Sequence, residues 1–365
     1  MLLYIMDVLS SLPKPSPALG TEFYENNFKR RLDFSIEARL NYHKYTTGNT
    51  KQSIPNYRPF KIDIEPNSRC NFACTMCVVS TWDKGKRSDD LTFDHFKLIL
   101  KNEPQVTEIK LQGLGEPLMV GDAFFSMINL ARSEHIWVRT TTNASLLHIN
   151  NNFGKLIDSQ VCEIQVSIDG ASHQTLETIR KGSKAKRVFE NCIKLNEYAA
   201  DQNWNCTKMW TVVQKNNVSE LEDLVLKASE LGFKTQCFSI DLHGWGINEW
   251  QDINQNNSVG DMSLERLEGL INMGNSKGVK VEFWQNSTKY STSDQTKLCP
   301  WPFERTMISS DMRVTPCCMI SNPDTLEIGT SYNKSSWTSV EYQNFRSAHL
   351  TGNIPSQCKM CYENN

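Results

Sequence analysis

The apolar and polar positions of the chain follow two alternating periods from about residue 60 to residue 285. Short runs such as FKIDI, VTEIKL and CEIQVSI are apolar or alternate with a period of two, as buried strands do. Between them, segments such as LTFDHFKLILKN repeat apolar residues every three or four positions, which is typical of amphipathic helices. This alternation recurs about six times and predicts an α/β fold with a parallel sheet and outer helices. The pattern alone fits an open doubly wound sheet or a barrel.

The two flanks of this region have a different pattern. The stretch before it is polar and irregular, with prolines at 13, 15 and 17 and one predicted helical stretch over 23–48. After about residue 285 the chain is rich in cysteine, proline, tryptophan and polar turns, which predicts a small metal-stabilised module. The predicted division is an N-terminal extension (1–57), an α/β domain (58–285) and a cysteine-rich C-terminal module (286–365).

Composition excludes several classes of protein. The 365 residues are 39% hydrophobic and 22% charged, enough for a buried core and too apolar for general disorder. A net charge of −2 gives no electrostatic reason to expect a nucleic-acid partner. No run approaches the length of a membrane span, and no cationic segment precedes the first apolar run as in a signal peptide. We therefore expect a cytoplasmic protein without a membrane partner.

The twelve cysteines are grouped rather than evenly spread. Three stand at C-x3-C-x2-C spacing, at Cys70, Cys74 and Cys77. A second group, near the C-terminus, consists of Cys299, Cys317, Cys318, Cys358 and Cys361. Four others are scattered, and we interpret them as small buried side chains. In a reducing compartment, grouped thiols bind metal or perform chemistry more often than they form disulfides.

The first cysteine group directly follows a predicted strand, and polar or glycine-rich motifs follow the next three. These motifs are GLGEP (113–117), the Thr142–Asn143 pair and SIDG (167–170). In both candidate architectures the carboxyl ends of parallel strands form the functional edge. The sequence therefore predicts one site at this edge. Three thiolates can hold an iron–sulfur cluster with one iron left open, whereas a zinc site needs a fourth ligand from elsewhere.

The segment CNFACTMC resembles the signature of the radical S-adenosylmethionine (radical SAM) superfamily, and the later motifs resemble those of the family in the same order. The resemblance implies a partial (β/α)6 TIM-like barrel in which Cys70, Cys74 and Cys77 hold a 4Fe–4S cluster. It also implies a set of residues that bind S-adenosylmethionine (SAM): Met76, Gly113, Gly115, Glu116, Thr142, Asn143, Ser167, Asp169 and Arg180.

The motifs carry different parts of SAM in this family. GLGEP, with Glu116, would hold the methionine amino group, SIDG the ribose hydroxyls, and Arg180 the methionine carboxylate. Met76 stands where many members have an aromatic residue, so a thioether would pack against the adenine.

The tail resembles the twitch and SPASM modules of radical SAM enzymes. This resemblance implies one auxiliary 4Fe–4S cluster on Cys299, Cys317, Cys358 and Cys361, with Cys318 left over or replacing Cys317. Structural zinc on four thiolates is the alternative. Nearby tryptophans, Trp245 and Trp301 among them, are candidates for a pocket or for packing.

The resemblance implies an enzyme that reductively cleaves SAM to a 5′-deoxyadenosyl radical, which abstracts hydrogen from a substrate C–H. The expected substrate is a ribosomally made precursor peptide, with the auxiliary cluster as electron acceptor. The alternatives are a carbohydrate or aminocyclitol substrate, and a non-catalytic iron–sulfur or zinc protein. Expected partners are a reductant such as flavodoxin or ferredoxin, and a separate leader-peptide-binding protein.

Overall fold

The structure is a computed structural model and describes residues 12–83, 85–240, 242, 244–260, 262–284 and 290–362. The predicted boundary between residues 285 and 286 and the first eleven residues lie outside these ranges, so the predicted domain division stays a prediction. None of the twelve cysteines, all of which lie within these ranges, forms a disulfide. Among the described residues, no helix combines the length and the apolarity needed to cross a bilayer.

A nine-stranded sheet forms the centre of the described chain. Its strands are Lys61–Ile64 (β1), Glu108–Leu111 (β3), Trp137–Thr142 (β4), Glu163–Ser167 (β5), Thr207–Val212 (β7), Thr235–Ser239 (β8), Lys280–Trp284 (β9), Arg305–Ile308 (β10) and Val314–Thr315 (β11). Their order is β11-β10-β1-β3-β4-β5-β7-β8-β9, and every pair is parallel except β10 with β11. Two short strands, Ala73–Cys74 (β2) and Arg180–Lys181 (β6), pair separately and antiparallel.

Helices connect the parallel strands, as the periodicity predicts. The described α-helices are Thr21–Phe34, Ile36–Thr47, Phe93–Asn102, Asp122–Ser133, Asn152–Asp158, His173–Ile179, Ala185–Asp201, Leu221–Glu230, Asn248–Asn257, Leu264–Ser276, Trp301–Glu304 and Val340–Leu350. The single helix predicted over 23–48 is wrong, because two helices meet at Ser35. Ser35 has an extended backbone and its hydroxyl accepts the Ala38 N–H, which caps the second helix.

The two faces of the sheet differ sharply in polarity. One face is apolar and packs under the helices, with Ile64, Leu111, Val138 and Val166 almost fully buried. The opposite face, here called the polar face, is set by the strand register. It carries Asp63, Lys110, Arg139, Thr141, Gln165, Lys208, Trp210 and Glu282. Because polar side chains line this face instead of a second apolar layer, it can accommodate a polar ligand.

The N-terminal helices pack at the amino ends of the strands. Arg31, 1% exposed, donates from Nε to the Val106 carbonyl at 2.8 Å and from Nη1 to the Glu134 carbonyl at 2.9 Å. Both acceptors lie in the loops that enter β3 and β4. The extension therefore covers the end of the sheet opposite the predicted site.

The tail is joined to the sheet. Strand β10 pairs with β1 in register, with Ile62 opposite Thr306 and Ile64 opposite Ile308. The Trp337 indole donates to the Tyr57 carbonyl at 2.9 Å, which ties the tail to the segment just before β1. Tail residues thus extend the same parallel sheet that carries the first cysteine group.

Candidate functional site

The three grouped cysteines lie beyond the carboxyl end of β1. Cys74 is buried and stands opposite Arg180 in the β2–β6 pair, so the cysteine loop is anchored to the segment that follows the helix His173–Ile179. Cys70 and Cys77 are partly exposed. The loop therefore has a fixed backbone and leaves two of its thiols partly open.

The electrostatics of these thiols suit cationic iron. Burial, followed by the charges of Glu116, Cys74 and Cys77, raises the pKa of the Cys70 thiol to about 12. Burial, and then the Cys74 charge, raises the pKa of Cys77 to about 12. Since the thiolate charges raise one another's pKa values, cations such as the irons of a bound cluster would stabilise the thiolate forms. No three described Cys, His, Asp or Glu side chains converge as the ligands of a single metal ion would.

The GLGEP loop after β3 packs tightly against the segment that leads to the cysteines. Glu116 N–H donates to the Arg69 carbonyl at 2.8 Å, and Gly115 N–H to the Asn67 carbonyl at 3.3 Å. A Cβ on Gly115 would overlap Asn67 Oδ1 and Arg69 O, and one on Gly113 would overlap the Glu65 side chain. Both glycines are thus required by the protein's own packing.

Glu116, Thr142 and Asn143 form one hydrogen-bonded group. The Glu116 carboxylate accepts the Thr142 hydroxyl at 2.6 Å and the Asn143 N–H at 2.7 Å. Burial raises the Glu116 pKa to about 7, although these hydrogen bonds oppose the shift. Asn143 also points its amide towards Cys70, at 3.8 Å from Nδ2 to Sγ. The structure therefore brings the motifs after β1, β3 and β4 together.

Asp169 and Arg180 form a buried ion pair beside Cys74. Arg180 Nη2 lies 2.7 Å from Asp169 Oδ2, and Arg180 Nη1 lies 4.0 Å from the Cys74 sulfur. Asp169 has no exposed surface, and its other oxygen accepts the Val212 N–H at 2.7 Å. These contacts favour a role for Asp169 in positioning Arg180 over direct contact with a ribose. Ser167 is partly exposed on the polar face.

Met76 is held in place by residues far along the chain. It is buried, and its carbonyl accepts the Trp245 indole N–H at 3.0 Å and the Asn254 side-chain amide at 3.2 Å. Sequence reasoning missed Asn254, because an asparagine on a polar helix carries no local signal of a long-range contact. Trp245 also lines a cavity, here called the tail cavity, that the four predicted tail cysteines share, so it lies between the two cysteine groups.

The four tail cysteines predicted as a ligand set line one cavity. Its other walls include Trp245, Trp301, Phe345, His349 and Tyr362. Burial and the neighbouring thiol charges, those of Cys318, Cys358, Cys299 and Cys361 in turn, raise the Cys317 pKa well above its ordinary value. The donor set is therefore the same as in the first group, thiols that a cationic cluster would stabilise.

Cys318 faces a different environment from Cys317. Burial raises the pKa of its thiol, and among the charges acting on it those of Lys110, Arg305 and Arg139 lower the pKa while that of Asp63 raises it. Asp63, Lys110 and Arg139 belong to the polar face, and Arg305 lies on the neighbouring strand β10; none of the four lines the tail cavity. The grouping favours Cys317 over Cys318 as the fourth member of the tail set.

Comparison with known families accounts for both cysteine groups. The model of the radical SAM superfamily matches residues 64–250, about half of the chain. A second model, SPASM, described as an iron–sulfur cluster-binding domain, matches residues 299–362. The two matches contain the first and second cysteine groups respectively.

Among curated proteins, the mycofactocin maturase MftC of Mycolicibacterium smegmatis is 26% identical over 198 residues, covering 53% of this chain and 48% of MftC. The GTP 3′,8-cyclase of Saccharophagus degradans is 26% identical over 176 residues, covering 47% of this chain and 51% of the cyclase. The matched region thus spans about half the length of these relatives.

Among solved structures, Streptococcus suis SuiB bound to the precursor peptide SuiA matches with a TM-score of 0.64 and 15% identity, over 85% of this chain and 70% of SuiB. Native anSMEcpe with bound AdoMet matches with a TM-score of 0.58 and 16% identity, over 84% of this chain and 92% of anSMEcpe. At this identity the likeness concerns the fold, and it confirms the predicted partial barrel. The predicted family and cofactors are confirmed by the family models. The chain belongs to the radical SAM superfamily, whose members use a 4Fe–4S cluster and SAM, and it carries a SPASM-type iron–sulfur domain.

Proposed function

We propose that this protein is a radical SAM maturase that modifies a ribosomally made precursor peptide. In this proposal Cys70, Cys74 and Cys77 hold the SAM-binding 4Fe–4S cluster, and the four tail cysteines hold an auxiliary 4Fe–4S cluster that accepts an electron. The chemistry supplied by the bound cofactors is reductive cleavage of SAM, which produces a 5′-deoxyadenosyl radical able to abstract hydrogen from a substrate carbon.

One observation carries the proposal. The segment that leads from β1 to the three cysteines is hydrogen-bonded to the loop after β3, and the Asn143 amide after β4 reaches towards Cys70. The ion pair of Asp169 and Arg180 closes the same edge beside Cys74. An acidic and a basic side chain thus lie near the thiols at the functional edge of the sheet. An amino-acid ligand needs both, one for its amino group and one for its carboxylate.

The residues of the chain would position and shield this chemistry. Glu116 would accept hydrogen bonds from the SAM amino group, and Arg180, oriented by Asp169, would pair with the SAM carboxylate. Met76 would pack against the adenine, held by the hydrogen bonds that its carbonyl accepts. Because Glu116 is only 2% exposed, little water reaches this part of the site.

The polar face offers the space for a substrate. Lys110, Thr141 and Trp210 are partly exposed there, on three strands of one layer. The Thr141 hydroxyl donates to Gln112 Oε1 at 2.6 Å, so the lining is ordered before a substrate binds. A peptide has carbonyls, amides and side chains that match such a lining.

The relatives favour the peptide over the sugar. MftC is named as a maturase, and SuiB was solved with a precursor peptide. We propose that electrons come from a flavodoxin or ferredoxin and that a separate protein presents the leader peptide. We propose a cytoplasmic location, because cysteines without disulfides and oxygen-sensitive clusters suit a reducing compartment.

The test is anaerobic reconstitution of the protein with iron and sulfide, followed by SAM and dithionite. We expect the wild type to form 5′-deoxyadenosine. We expect Cys74→Ala to abolish it, because the two cysteines that remain are too few to hold the first cluster. Cys192→Ala is the matched control, since Cys192 is buried in the helix Ala185–Asp201. As much 5′-deoxyadenosine from the Cys74→Ala variant as from the wild type would contradict the proposed activity.

Metal analysis of the same samples tests the tail. Two clusters require about eight irons per chain. About four irons with one zinc would instead support a structural zinc site on the tail cysteines.

Deuterium transfer identifies the substrate. We expect deuterium from a labelled precursor peptide to enter 5′-deoxyadenosine, because the radical takes its hydrogen from the substrate carbon. Deuterium transfer from a labelled aminocyclitol, with no transfer from the peptides encoded beside the gene, would instead identify the substrate as a sugar.

A further inference from the structure

A buried histidine forms part of the wall of the tail cavity. His349 lies in the last turn of the helix Val340–Leu350 and is 1% exposed. Phe345 packs edge-on against its ring at 4.8 Å between centroids, and Tyr362 lies at 5.7 Å. The ring thus has a fixed orientation beside the four cysteines that line the same cavity.

The hydrogen bonds around Tyr362 favour one tautomer of the His349 ring. The Cys299 N–H donates to the Tyr362 hydroxyl oxygen at 3.2 Å, and His349 Nδ1 lies 2.6 Å from that oxygen. If Nδ1 is the acceptor, the Tyr362 hydroxyl donates to Nδ1 and accepts the Cys299 N–H, so both its proton and its oxygen are used. The chain of donors therefore runs from Cys299 N–H through the Tyr362 hydroxyl to Nδ1.

An acceptor at Nδ1 places the proton of the neutral ring on Nε2. Burial, and then the charge of Lys51, lowers the His349 pKa to about 4, so the ring is neutral near pH 7. Nε2 is fully buried and has no hydrogen-bond partner among the described residues. A buried N–H without an acceptor costs free energy, so this one calls for a ligand that the protein atoms do not supply.

We propose that His349 donates a hydrogen bond from Nε2 to a sulfur of the auxiliary cluster and thereby raises the reduction potential of that cluster. The inference rests on the auxiliary cluster of the proposed function. Sulfide and thiolate sulfurs are the acceptors that a cluster on four cysteines presents to this cavity. His349 is then a positioning and tuning residue that ligates no iron.

The direction of the effect follows from charge. The reduced cluster carries one more negative charge than the oxidised cluster, so an N–H donor stabilises the reduced state more. Removing the donor lowers the potential. We expect a change of about tenfold in the reduction equilibrium, which for one electron is about 59 mV.

The experiment isolates the tail cluster in the full chain. The parent protein for this experiment is the full chain with Cys70, Cys74 and Cys77 all replaced by alanine. It is reconstituted anaerobically and titrated with dithionite, and electron paramagnetic resonance follows the reduced cluster. In this parent, His349→Phe keeps the ring and removes the donor, and we expect the potential to fall.

Two further variants separate the hydrogen bond from structural damage. His349→Gln retains an N–H donor near the position of Nε2, so we expect most of the parent potential. His43→Phe makes the same exchange at an exposed position of the helix Ile36–Thr47 and is expected to leave the potential unchanged.

A spectroscopic measurement on the parent protein tests the same hydrogen bond even if the His349→Phe variant does not fold. In the parent with nitrogen-15 histidine, we expect a histidine nitrogen coupled to the reduced cluster, and its loss in His349→Gln. Equal potentials in the parent and His349→Phe, or a parent without the coupled nitrogen, would overturn the hydrogen bond alone. A parent that holds no iron would overturn the auxiliary cluster as well, which distinguishes the two failures.

Discussion

At the scale of single residues, Glu116 shows how burial and charge compete in this site. Its carboxylate accepts two short hydrogen bonds, yet burial outweighs them and raises its pKa from 4.5 to about 7. The folded protein consequently binds a proton at Glu116 between pH 4.5 and 7 that the unfolded chain releases. A bound ammonium group would reverse this preference, which suits a residue that awaits a cationic partner.

This shift predicts a pH-dependent stability. Because the folded pKa is raised, the contribution of Glu116 is greatest below pH 4.5 and is lost as the pH rises to about 7. Glu116→Gln removes the titration, so the variant gains stability relative to the wild type by about 3 kcal/mol between pH 4.5 and pH 8. Denaturant unfolding of the two cofactor-free proteins across this range measures the difference. A difference independent of pH would show that Glu116 titrates normally.

The cysteine residues illustrate how far spacing predicts roles. The sequence placed Cys70, Cys74 and Cys77 in one loop, because a local spacing needs no tertiary information. It left Cys317 and Cys318 undecided, because adjacent residues point in different directions only once the backbone is folded. The structure groups Cys317 with the tail thiols and Cys318 with Lys110 of the polar face.

At the scale of elements, the loops after the strands hold one another in place. The GLGEP loop contacts the cysteine segment through its backbone, and this contact leaves no room for a side chain at Gly115. The glycines of this motif thus determine the distance between two loops as well as the shape of one turn.

Gly115→Ala tests this contact. The added Cβ would overlap Asn67 Oδ1 and Arg69 O, so we expect a loss of about 2 kcal/mol or more in the free energy of unfolding and weaker cluster uptake. Gly269→Ala is the matched control, because a Cβ there meets nothing within 4 Å inside the helix Leu264–Ser276. Helix propensity predicts a gain of about 1 kcal/mol for the control. Equal stability of both variants would contradict the close packing.

The strand pattern predicted the parallel sheet because each βα unit repeats the same local periodicity. The break between the N-terminal helices was missed, since apolar spacing continues across Ser35 while the serine caps a new helix. Strand β10 was also missed, because its pairing with β1 joins positions more than 240 residues apart.

At the scale of the whole molecule, the tail and the α/β domain share one buried framework. Arg346 is fully buried and donates to the carbonyls of Pro302 at 2.8 Å, Trp337 at 2.9 Å and Ser53 at 3.2 Å. Its guanidinium thus connects the last helix to the segment before β1. We expect the tail and the sheet to unfold together.

Arg346→Met tests this connection. The variant keeps the volume of the aliphatic chain and leaves three carbonyls without their donor, so we expect a loss of about 3 kcal/mol. Arg39→Met is the control at an exposed helix position. Calorimetry of both measures the midpoint and the number of transitions. An unchanged midpoint for Arg346→Met, or a tail that melts separately in the wild type, would contradict the shared framework.

The sequence by itself determined the α/β class, the three-cysteine loop, the strand-end motifs and the tail cysteines, because these depend on local periodicity and spacing. The tertiary structure decided which distant groups meet: Trp245 with Met76, Cys318 with Lys110, and His349 with Tyr362. These pairs are 13 to 208 positions apart, and only the packed sheet and helices bring them within hydrogen-bond or electrostatic range.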